Sequence, residues 1–325
     1  MRTIRQRRLP TMLVPTLVLR LGALMGTLTN QAEASFPGRN GRIFFHSNRV
    51  TKTNHTGDYE IFTMRADGSR LRQLTDNRVN DFDPSLSADG QTVAFLSQRN
   101  GNLELFVMNA DGSGQTRITR NSVDETNPAL SPNGTQIAFE RNVNHVQLFT
   151  IDVNGSGETQ ITHEGDNRGP AWSPDGTRIA FARDIGLSSH HDIYTMNPDG
   201  SDTARLTFEK SVDLRPNWSP DGQRIAFQSN LQTEDNPEGD SEIFVLQIPI
   251  ISAVSIQAEG WTQLTADARD DYEPVWSPNG ARIVFYRDQG PGNSNLAAVR
   301  ADGSGERRLT NNSADDAGPD WQSRP

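Results

Sequence analysis

Four short sequence signals recur in a fixed order along this chain, and this repeat is the strongest constraint on its fold. The fullest copy reads Pro-Ala-Trp-Ser-Pro-Asp-Gly at residues 170–176, Ile-Ala-Phe at 179–181, Ile-Tyr-Thr-Met at 193–196 and Leu-Thr at 206–207. Each copy contains four runs with the composition and length of β-strands. Such a unit cannot bury its own apolar face, so the copies must stack, and a closed ring of them is a β-propeller.

The first signal is a proline followed within two residues by an apolar residue and then serine, and a tight turn comes after it. Proline suits the start of a strand because no ladder donor is lost there. The Asp-Gly and Asn-Gly pairs of the turns supply the positive φ that hairpins need. The five copies of this signal begin at Pro84, Pro128, Pro170, Pro216 and Pro274.

The two ends of the repeat region predict how the ring closes. The first copy opens at Ile43-Phe44-Phe45 without a proline signal, whereas Pro319-Asp320-Trp321 follows the sixth Leu-Thr without partner strands. A blade divided between the termini clasps a ring shut and leaves no free sheet edge. We therefore predict an all-β fold, a six-bladed β-propeller of four-stranded blades in which the C-terminal strand completes the N-terminal blade.

The first 34 residues have the features of a secretory signal. Four arginines among the first eight residues precede an apolar stretch, and Ala32-Glu33-Ala34 places small residues where signal peptidase cuts. We assign residues 1–34 to a signal peptide and residues 35–325 to the propeller, which predicts a periplasmic or secreted protein. Arg20 interrupts the apolar stretch, which argues against a membrane span and leaves a disordered basic tail as the alternative.

Charge and cysteine content exclude several functions. The chain has 31 basic and 41 acidic residues, a net charge of −10, and no cysteine. Removal of residues 1–34, which hold five arginines and one glutamate, makes the remainder more acidic. Such a protein repels nucleic acid and anionic membranes and favours basic peptides, cations or neutral ligands. Disulfides and thiolate catalysis are excluded.

The fifth copy departs from the pattern. It carries an acidic insertion at residues 233–240, and an apolar segment at 249–256 replaces the usual Asp-Gly turn. Insertions in repeats map to loops, often on a binding face. A binding loop and a tolerated surface loop are both consistent with this segment.

The repeat resembles the TolB-type propeller repeat, a WD-like repeat with an aromatic-Ser-Pro-Asp-Gly turn, an Ile-Ala-Phe strand, an Ile-Tyr-x-Met strand and a Leu-Thr. The resemblance covers about residues 38–322 and implies a propeller that binds a protein in the cell envelope. TolB itself has an α/β domain before its propeller, whereas here the propeller is expected to follow the signal directly. Related propeller peptidases add a hydrolase domain, but this sequence contains no Gly-x-Ser-x-Gly nucleophile motif.

Acidic loops precede the prolines, and we expect them to reach the mouth of the central channel. A ring of carboxylates there would concentrate negative potential. The alternative is that each aspartate bonds only to its own turn. The predicted mouth residues are Asp81, Asp83, Asp124, Glu125, Asp166, Asp213, Arg215, Asn217, Asp271, Glu273, Asp316 and Asp320.

The residues that flank the prolines differ from blade to blade, as a specific ligand would require. Asp83, Arg215, Asn217, Glu273 and Asp320 are therefore the sharper candidates, although drift without selection gives the same pattern. An arginine follows the Phe strand in five copies, and we expect these arginines to form structural pairs with carboxylates of neighbouring blades. They are Arg49, Arg99, Arg141, Arg183 and Arg287.

The sequence favours an exported, non-catalytic binding module that engages a protein or peptide partner, of basic character, at the channel mouth. We predict no catalytic residue, no metal ligand, no cofactor and a monomeric state. One alternative is an enzyme, a lyase or hydrolase acting on a saccharide with channel carboxylates as acid and base. Another is a cytoplasmic assembly scaffold that retains its N-terminus.

Overall fold

The computed structural model describes residues 38–184, 186, 190–248 and 260–324, and these residues form six four-stranded antiparallel sheets. The last strand in the chain is the inner strand of the first blade, where Trp321 pairs with Ile43 and Asp320 with Phe44. This confirms the predicted fold and the predicted closure of the ring. The predicted signal peptide and the segment 249–256 lie outside the described residues.

The strands of each blade follow, with the inner strand first. Blade 1 contains β24 (Asp316–Arg324), β1 (Arg39–Ser47), β2 (Glu60–Arg65) and β3 (Arg72–Gln73). Blade 2 contains β4 (Asp81–Leu86), β5 (Thr92–Ser97), β6 (Glu104–Asn109) and β7 (Thr116–Arg117). Blade 3 contains β8 (Glu125–Leu130), β9 (Gln136–Asn142), β10 (Val146–Asp152) and β11 (Thr159–Gln160).

The other three blades repeat this arrangement. Blade 4 contains β12 (Asp166–Trp172), β13 (Ile179–Asp184), β14 (Asp192–Met196) and β15 (Ala204–Arg205). Blade 5 contains β16 (Asp213–Trp218), β17 (Arg224–Ser229), β18 (Glu242–Gln247) and β19 (Trp261–Gln263). Blade 6 contains β20 (Asp271–Trp276), β21 (Arg282–Asp288), β22 (Ser294–Arg300) and β23 (Arg307–Arg308). Across the described ranges, no helix has the length and apolar character needed to cross a membrane.

The hydrophobic core consists of clusters that each join two adjacent blades. One cluster brings Ile43, Phe45 and Trp321 of blade 1 together with Val284 and Leu296 of blade 6. Five further clusters join the remaining pairs of neighbouring blades. Burial of each such side chain contributes about 1.5–3 kcal/mol. The blades are therefore stabilised mainly by packing on one another.

The repeated polar signals hold the strands in register. The threonine of each Leu-Thr accepts a hydrogen bond from the backbone of the third strand, as Thr75 Oγ1 does from Ile61 N at 2.8 Å. In the proline-signal turns the serine hydroxyl donates to the turn aspartate, as Ser173 does to Asp175 at 2.6 Å. These turns lie at one end of the ring, together with the turns between third and fourth strands. We call that end the turn face and the opposite end the loop face.

The acidic insertion of blade 5 has the same local structure as a loop of blade 1. Asn236 Nδ2 donates to Asp240 O at 2.9 Å, and Asn54 Nδ2 donates to Asp58 O at 2.6 Å. Both asparagines are 1% exposed. The hydrogen-bonded part of each loop follows the sequence Thr-x-x-Asn-x-x-Gly-Asp, at residues 51–58 and 233–240. A buried asparagine thus organises the insertion from within, which explains how the ring accommodates it.

Candidate functional site at the central channel

Each inner strand contains a β-bulge at the residue before its proline. The register against the second strand shifts there, for example between Phe82 and Ser85. Bulges redirect side chains and often lie beside functional sites. All six bulge residues have a positive φ between 50° and 59° and line the central cavity, and we call them the bulge ring: Asp83, Asn127, Gly169, Arg215, Glu273 and Gly318.

The central cavity has a volume of about 200 Å³ and extends from the bulge ring to the turn face. Its wall beyond the ring combines apolar side chains with polar ones such as Asn217 and Asp320. The apolar contributions come from Leu86, Leu130, Val275 and the tryptophans of four inner strands. Near the turn face it meets prolines of the hairpin turns, such as Pro174. An apolar wall with a few polar groups at one end is typical of ligand sites. The bulge ring is the polar floor of this funnel.

Two charged contacts lie on the floor. Arg215 Nη2 is 3.0 Å from Glu273 Oε1, and His46 Nδ1 is 3.4 Å from Asp83 Oδ1. The backbone N–H of Asp83 donates to His46 Nδ1 at 3.2 Å. Burial lowers the pKa of His46, which keeps this imidazole neutral near pH 7. The histidine therefore does not compensate the negative charge of Asp83, and the cation near that carboxylate is Arg215.

The remaining floor groups are mainly hydrogen-bond acceptors. Burial raises the pKa of both Asp83 and Glu273, and the nearby Arg215 opposes that shift. Burial lowers the pKa of Arg215, but the surrounding carboxylates raise it overall, so the guanidinium stays charged. Asn127 Oδ1 is buried and has no hydrogen-bond partner among the described residues. The floor thus offers acceptors to a donor-rich group.

Glu140 supports the floor from the second strand of blade 3. It is 2% exposed and accepts hydrogen bonds from Asn127 Nδ2 at 2.6 Å and from Gly169 N at 2.5 Å. His46 occupies the equivalent position in blade 1. Neither residue was predicted from the sequence. The only sequence signal is that each follows the phenylalanine of the second strand, where the other blades have different residue types.

Two of the sharper candidates tie inner strands together. Asn217 Oδ1 accepts a hydrogen bond from Trp276 N at 3.0 Å, and Asp320 Oδ2 accepts one from Leu86 N at 2.7 Å. Both side chains line the cavity. Burial raises the pKa of Asp320 to about 6. The cavity therefore brings together all five of the sharper candidates, and Asn217 and Asp320 also link adjacent blades.

Four predicted mouth residues lie beneath an arginine of their own blade, outside the residues that line the cavity. Asp271 is fully buried, and Arg287 Nε donates to it at 2.7 Å while the guanidinium packs on the ring of Phe285. The structure thus corrects the expectation that these arginines pair with neighbouring blades. We call this arrangement the arginine cover. Its ion pairs are Arg49–Asp316, Arg99–Asp81, Arg141–Glu125 and Arg287–Asp271.

The arginine cover varies in two blades. In blade 4, Arg183 Nε donates to the amide oxygen of Asn167. In blade 5, Leu231 occupies the place of the arginine, and Asp213 instead accepts hydrogen bonds from the hydroxyls of Ser211 and Ser229. Burial raises the pKa of Asp213. Asp213 also lies outside the cavity lining.

Asp124 and Asp166, the two other predicted mouth residues, join neighbouring blades near the loop face. Asp124 Oδ1 accepts a hydrogen bond from Leu103 N, and Asp166 Oδ1 accepts one from Val146 N, each at 2.7 Å. Neither residue lines the cavity. Within the described ranges, no group of three or more His, Cys, Asp or Glu side chains is arranged to hold a metal ion.

The fold and site define a class: a six-bladed propeller with a central cavity that has a ring of polar residues at one end. The family model of the TolB beta propeller domain matches residues 23–190 and 163–248, which together are more than half of the chain. The chain therefore belongs to the TolB β-propeller family.

Individual relatives agree on the fold. A segment of 50 residues is 40% identical to the protein TolB homolog of Chlorobium luteolum, over 15% of this chain and 12% of that protein. The crystal structure of TolB from Acinetobacter baumannii has a TM-score of 0.71 at 20% identity, over 86% of this chain and 66% of that one. Putative TolB from Agrobacterium tumefaciens has a TM-score of 0.63 at 18% identity, over 88% and 99%. The chain thus spans less than two thirds of the first two proteins, and the structural likenesses show the fold alone.

Proposed function

We propose that this protein is an exported, non-catalytic binding module of the cell envelope, and that a protein or peptide partner inserts a basic segment into the central channel. The funnel carries this proposal, because its wall presents apolar side chains from several blades while its floor concentrates acceptors. Membership of the TolB β-propeller family supports a role in binding.

The floor favours a cationic group at the tip of the inserted segment. The direct contact of Asp83 is with a neutral histidine, and Asn127 Oδ1 has no partner in the described part of the chain. Arg215 is the single guanidinium in the bulge ring, and Glu273 already pairs with it. An ammonium or guanidinium with an apolar stem would place its donors on the floor and its stem against the wall.

The hydrogen bonding of the channel carboxylates favours binding over catalysis. Glu273 is engaged by Arg215, and both oxygens of Asp320 accept backbone N–H groups. A saccharide lyase or hydrolase needs one carboxyl group free as acid and one free as base or nucleophile. We therefore prefer the binding role to the enzymatic alternative.

A capture experiment tests the channel assignment. Wild-type protein and the double variant Asp83→Asn/Glu273→Gln would be used as bait in extracts of the native compartment, and bound proteins quantified by mass spectrometry. We expect the variant to lose the principal partner, because its floor becomes cationic while its shape is retained. Asp89→Asn/Asp175→Asn is the matched control, since it makes the same charge change at turns where blades 3 and 6 already have Asn133 and Asn279. Equal recovery of the partner by all three proteins would rule out the channel as its binding site.

Export is tested separately by the mass of the protein isolated from its native compartment. A mature chain that begins at Ser35 is the expected result. A chain that retains Met1 would contradict export and favour the cytoplasmic scaffold.

A further inference from the structure

Six arginines form a second charged surface on the turn face, at the rims of blades 1 and 6. At this end of the second strand an arginine pairs with the last residue of the third strand, as Arg42 does with Arg65 and Arg282 with Arg300. The outer strands of the same blades begin with arginine as well. We call these residues the arginine patch: Arg42, Arg65, Arg72, Arg282, Arg300 and Arg307.

The other blades provide an internal comparison. In blade 2 the equivalent positions hold Thr92, Asn109 and Thr116, none of which is charged. Blades 4 and 5 have one arginine each at these positions, Arg178 and Arg224, and both form ion pairs with an aspartate of their own blade. The fold therefore does not require arginine at these positions.

The charges of the arginine patch are compensated only in part. Hydrogen bonds from serine lower the pKa of the turn carboxyls of Asp67, Asp111 and Asp302, and nearby arginines of the patch lower it further. None of the six arginines forms an ion pair at salt-bridge distance within the described ranges, and four of them donate to backbone carbonyls. Arg42 Nη1 donates to Arg70 O at 3.1 Å, and Arg307 Nη2 donates to Ala66 O at 2.7 Å. Burial and the neighbouring arginines lower the pKa of Arg42. The guanidinium groups are thus held in place while their charges repel one another.

The arginine patch adjoins the opening of the channel. Arg324 pairs with Arg39 at the end of β24, and the residue before it, Ser323, lines the cavity. Leu71 lies between two arginines of the same rim and is 43% exposed. A ligand that enters the channel from the turn face would therefore lie beside this patch.

We propose that the arginine patch binds a carboxylate-rich surface of the same partner whose basic segment enters the channel, an inference that rests on the proposed function. Arginine forks match carboxylates in geometry and charge. A flat anionic bilayer fits less well, because Asp89, Asp111 and Asp199 lie at the turns of the same face and would be pressed against its phosphates. A protein can present acidic groups to blades 1 and 6 alone.

Binding of fluorescein-labelled poly-L-glutamate, followed by anisotropy at low salt, tests this inference without the partner. The variant Arg65→Asn/Arg300→Asn introduces the residue that blades 2 and 4 have at this position, Asn109 and Asn197. We expect roughly tenfold weaker binding, since two guanidinium–carboxylate contacts are lost. The matched control is Arg120→Gln/Arg269→Gln, which removes two exposed arginines from the loop face and should change binding less than about twofold.

The possible outcomes separate the explanations. Equal weakening in the patch variant and in the control would mean that only net charge matters and would overturn the proposal. Binding of wild-type protein to phosphatidylglycerol vesicles, with none to poly-L-glutamate, would show that the patch binds an anionic lipid and would overturn the proposed protein partner. The channel variant Asp83→Asn/Glu273→Gln should bind poly-L-glutamate normally. Failure of the channel assignment in the capture experiment is thus distinguishable from failure of the arginine patch.

Discussion

Two sets of buried charges in this propeller, the arginine cover and the bulge ring, differ in how regularly they repeat. In the arginine cover, blades 1, 2, 3 and 6 each place one guanidinium on the buried carboxylate that begins the inner strand of the same blade. In the bulge ring, six equivalent positions hold five residue types, and Arg215–Glu273 is the one ion pair between ring members in the described structure.

This difference indicates that the arginine cover supports the fold, whereas the bulge ring is a candidate for ligand recognition. A charge pair that recurs in four blades serves a need that those blades share, which is to neutralise the buried carboxylate at the start of the inner strand. The side chains of the bulge ring serve no need common to all blades, since glycine is sufficient to form the bulge at two of the six positions. Non-glycine residues with positive φ cost roughly 1–2 kcal/mol each, and such strain is concentrated at functional sites.

The largest expected effect comes from removing one arginine of the cover. Arg287→Leu leaves the fully buried carboxylate of Asp271 without its guanidinium. We expect the free energy of unfolding, measured in urea at pH 7.5, to fall by about 3 kcal/mol. Arg308→Leu, an exposed arginine of the same blade, should stay within about 0.5 kcal/mol of wild type. Similar stabilities for the two variants would contradict a structural role for the cover.

Substitution in the bulge ring should act in the opposite direction on stability. Arg215→Gly/Glu273→Gly removes a half-buried ion pair together with two non-glycine residues at positive φ. We expect an increase in the free energy of unfolding of about 1 kcal/mol, because relief of strain exceeds the entropy cost of two glycines. Partner capture should be lost at the same time. A strongly destabilised double variant would show that the ring supports the fold as the cover does.

Buried carboxylates without a guanidinium should make stability depend on pH. Burial raises the pKa of Glu60 and of Glu242 to about 8 from an ordinary value of 4.5, whereas hydrogen bonds from Thr119 and Arg117 bring the pKa of Glu104 below its ordinary value. The folded state therefore holds protons that the unfolded state releases. The resulting stability is present below about pH 4.5 and is lost as pH rises towards 8.

Glutamine variants test this pH dependence. In Glu60→Gln/Glu242→Gln the midpoint of thermal unfolding should fall less between pH 5 and pH 9 than in wild type. Gln147 occupies the same position in blade 3, so the amide fits. Glu104→Gln is the control and should not flatten the profile in this range. Identical profiles for wild type and the double variant would contradict the shifted pKa values.

The smallest effect is expected from adding an arginine where blade 5 lacks one. Leu231 lies two residues after Ser229, as Arg99 lies two residues after Ser97. Leu231→Arg should pair with Asp213 and increase the free energy of unfolding by up to about 1 kcal/mol at pH 8. Leu231→Met is the control for the change in side-chain shape. A loss of stability in the arginine variant alone would mean that blade 5 has no room for the cover.

The sequence was sufficient to predict the blades, their number and the closure of the ring. Its repeated signals, such as Leu-Thr and Ile-Ala-Phe, each satisfy a need that arises in every blade, so repetition itself identifies them. The arginines after the Phe strand were recognised for the same reason. Their partners were not, because spacing alone does not tell whether Arg287 meets a carboxylate of its own blade or of the next.

The site was predictable only in part. Asp83, Arg215 and Glu273 could be predicted because the residue type at their position differs between blades, whereas the proline that follows them recurs in every blade. His46 and Glu140 were missed because they come from second strands, where residues after phenylalanine differ without any flanking signal. The position of the cavity relative to the turn face depends on the bulges, and a one-residue shift in pairing leaves no mark in composition.

The closure of the ring by β24 determines when the central funnel becomes complete. Gly318 of the bulge ring and Asp320 of the cavity wall both lie on that strand. Until β24 pairs with β1, the funnel has five complete sides and lacks the sixth. Closure of the ring and assembly of the candidate site are therefore one event.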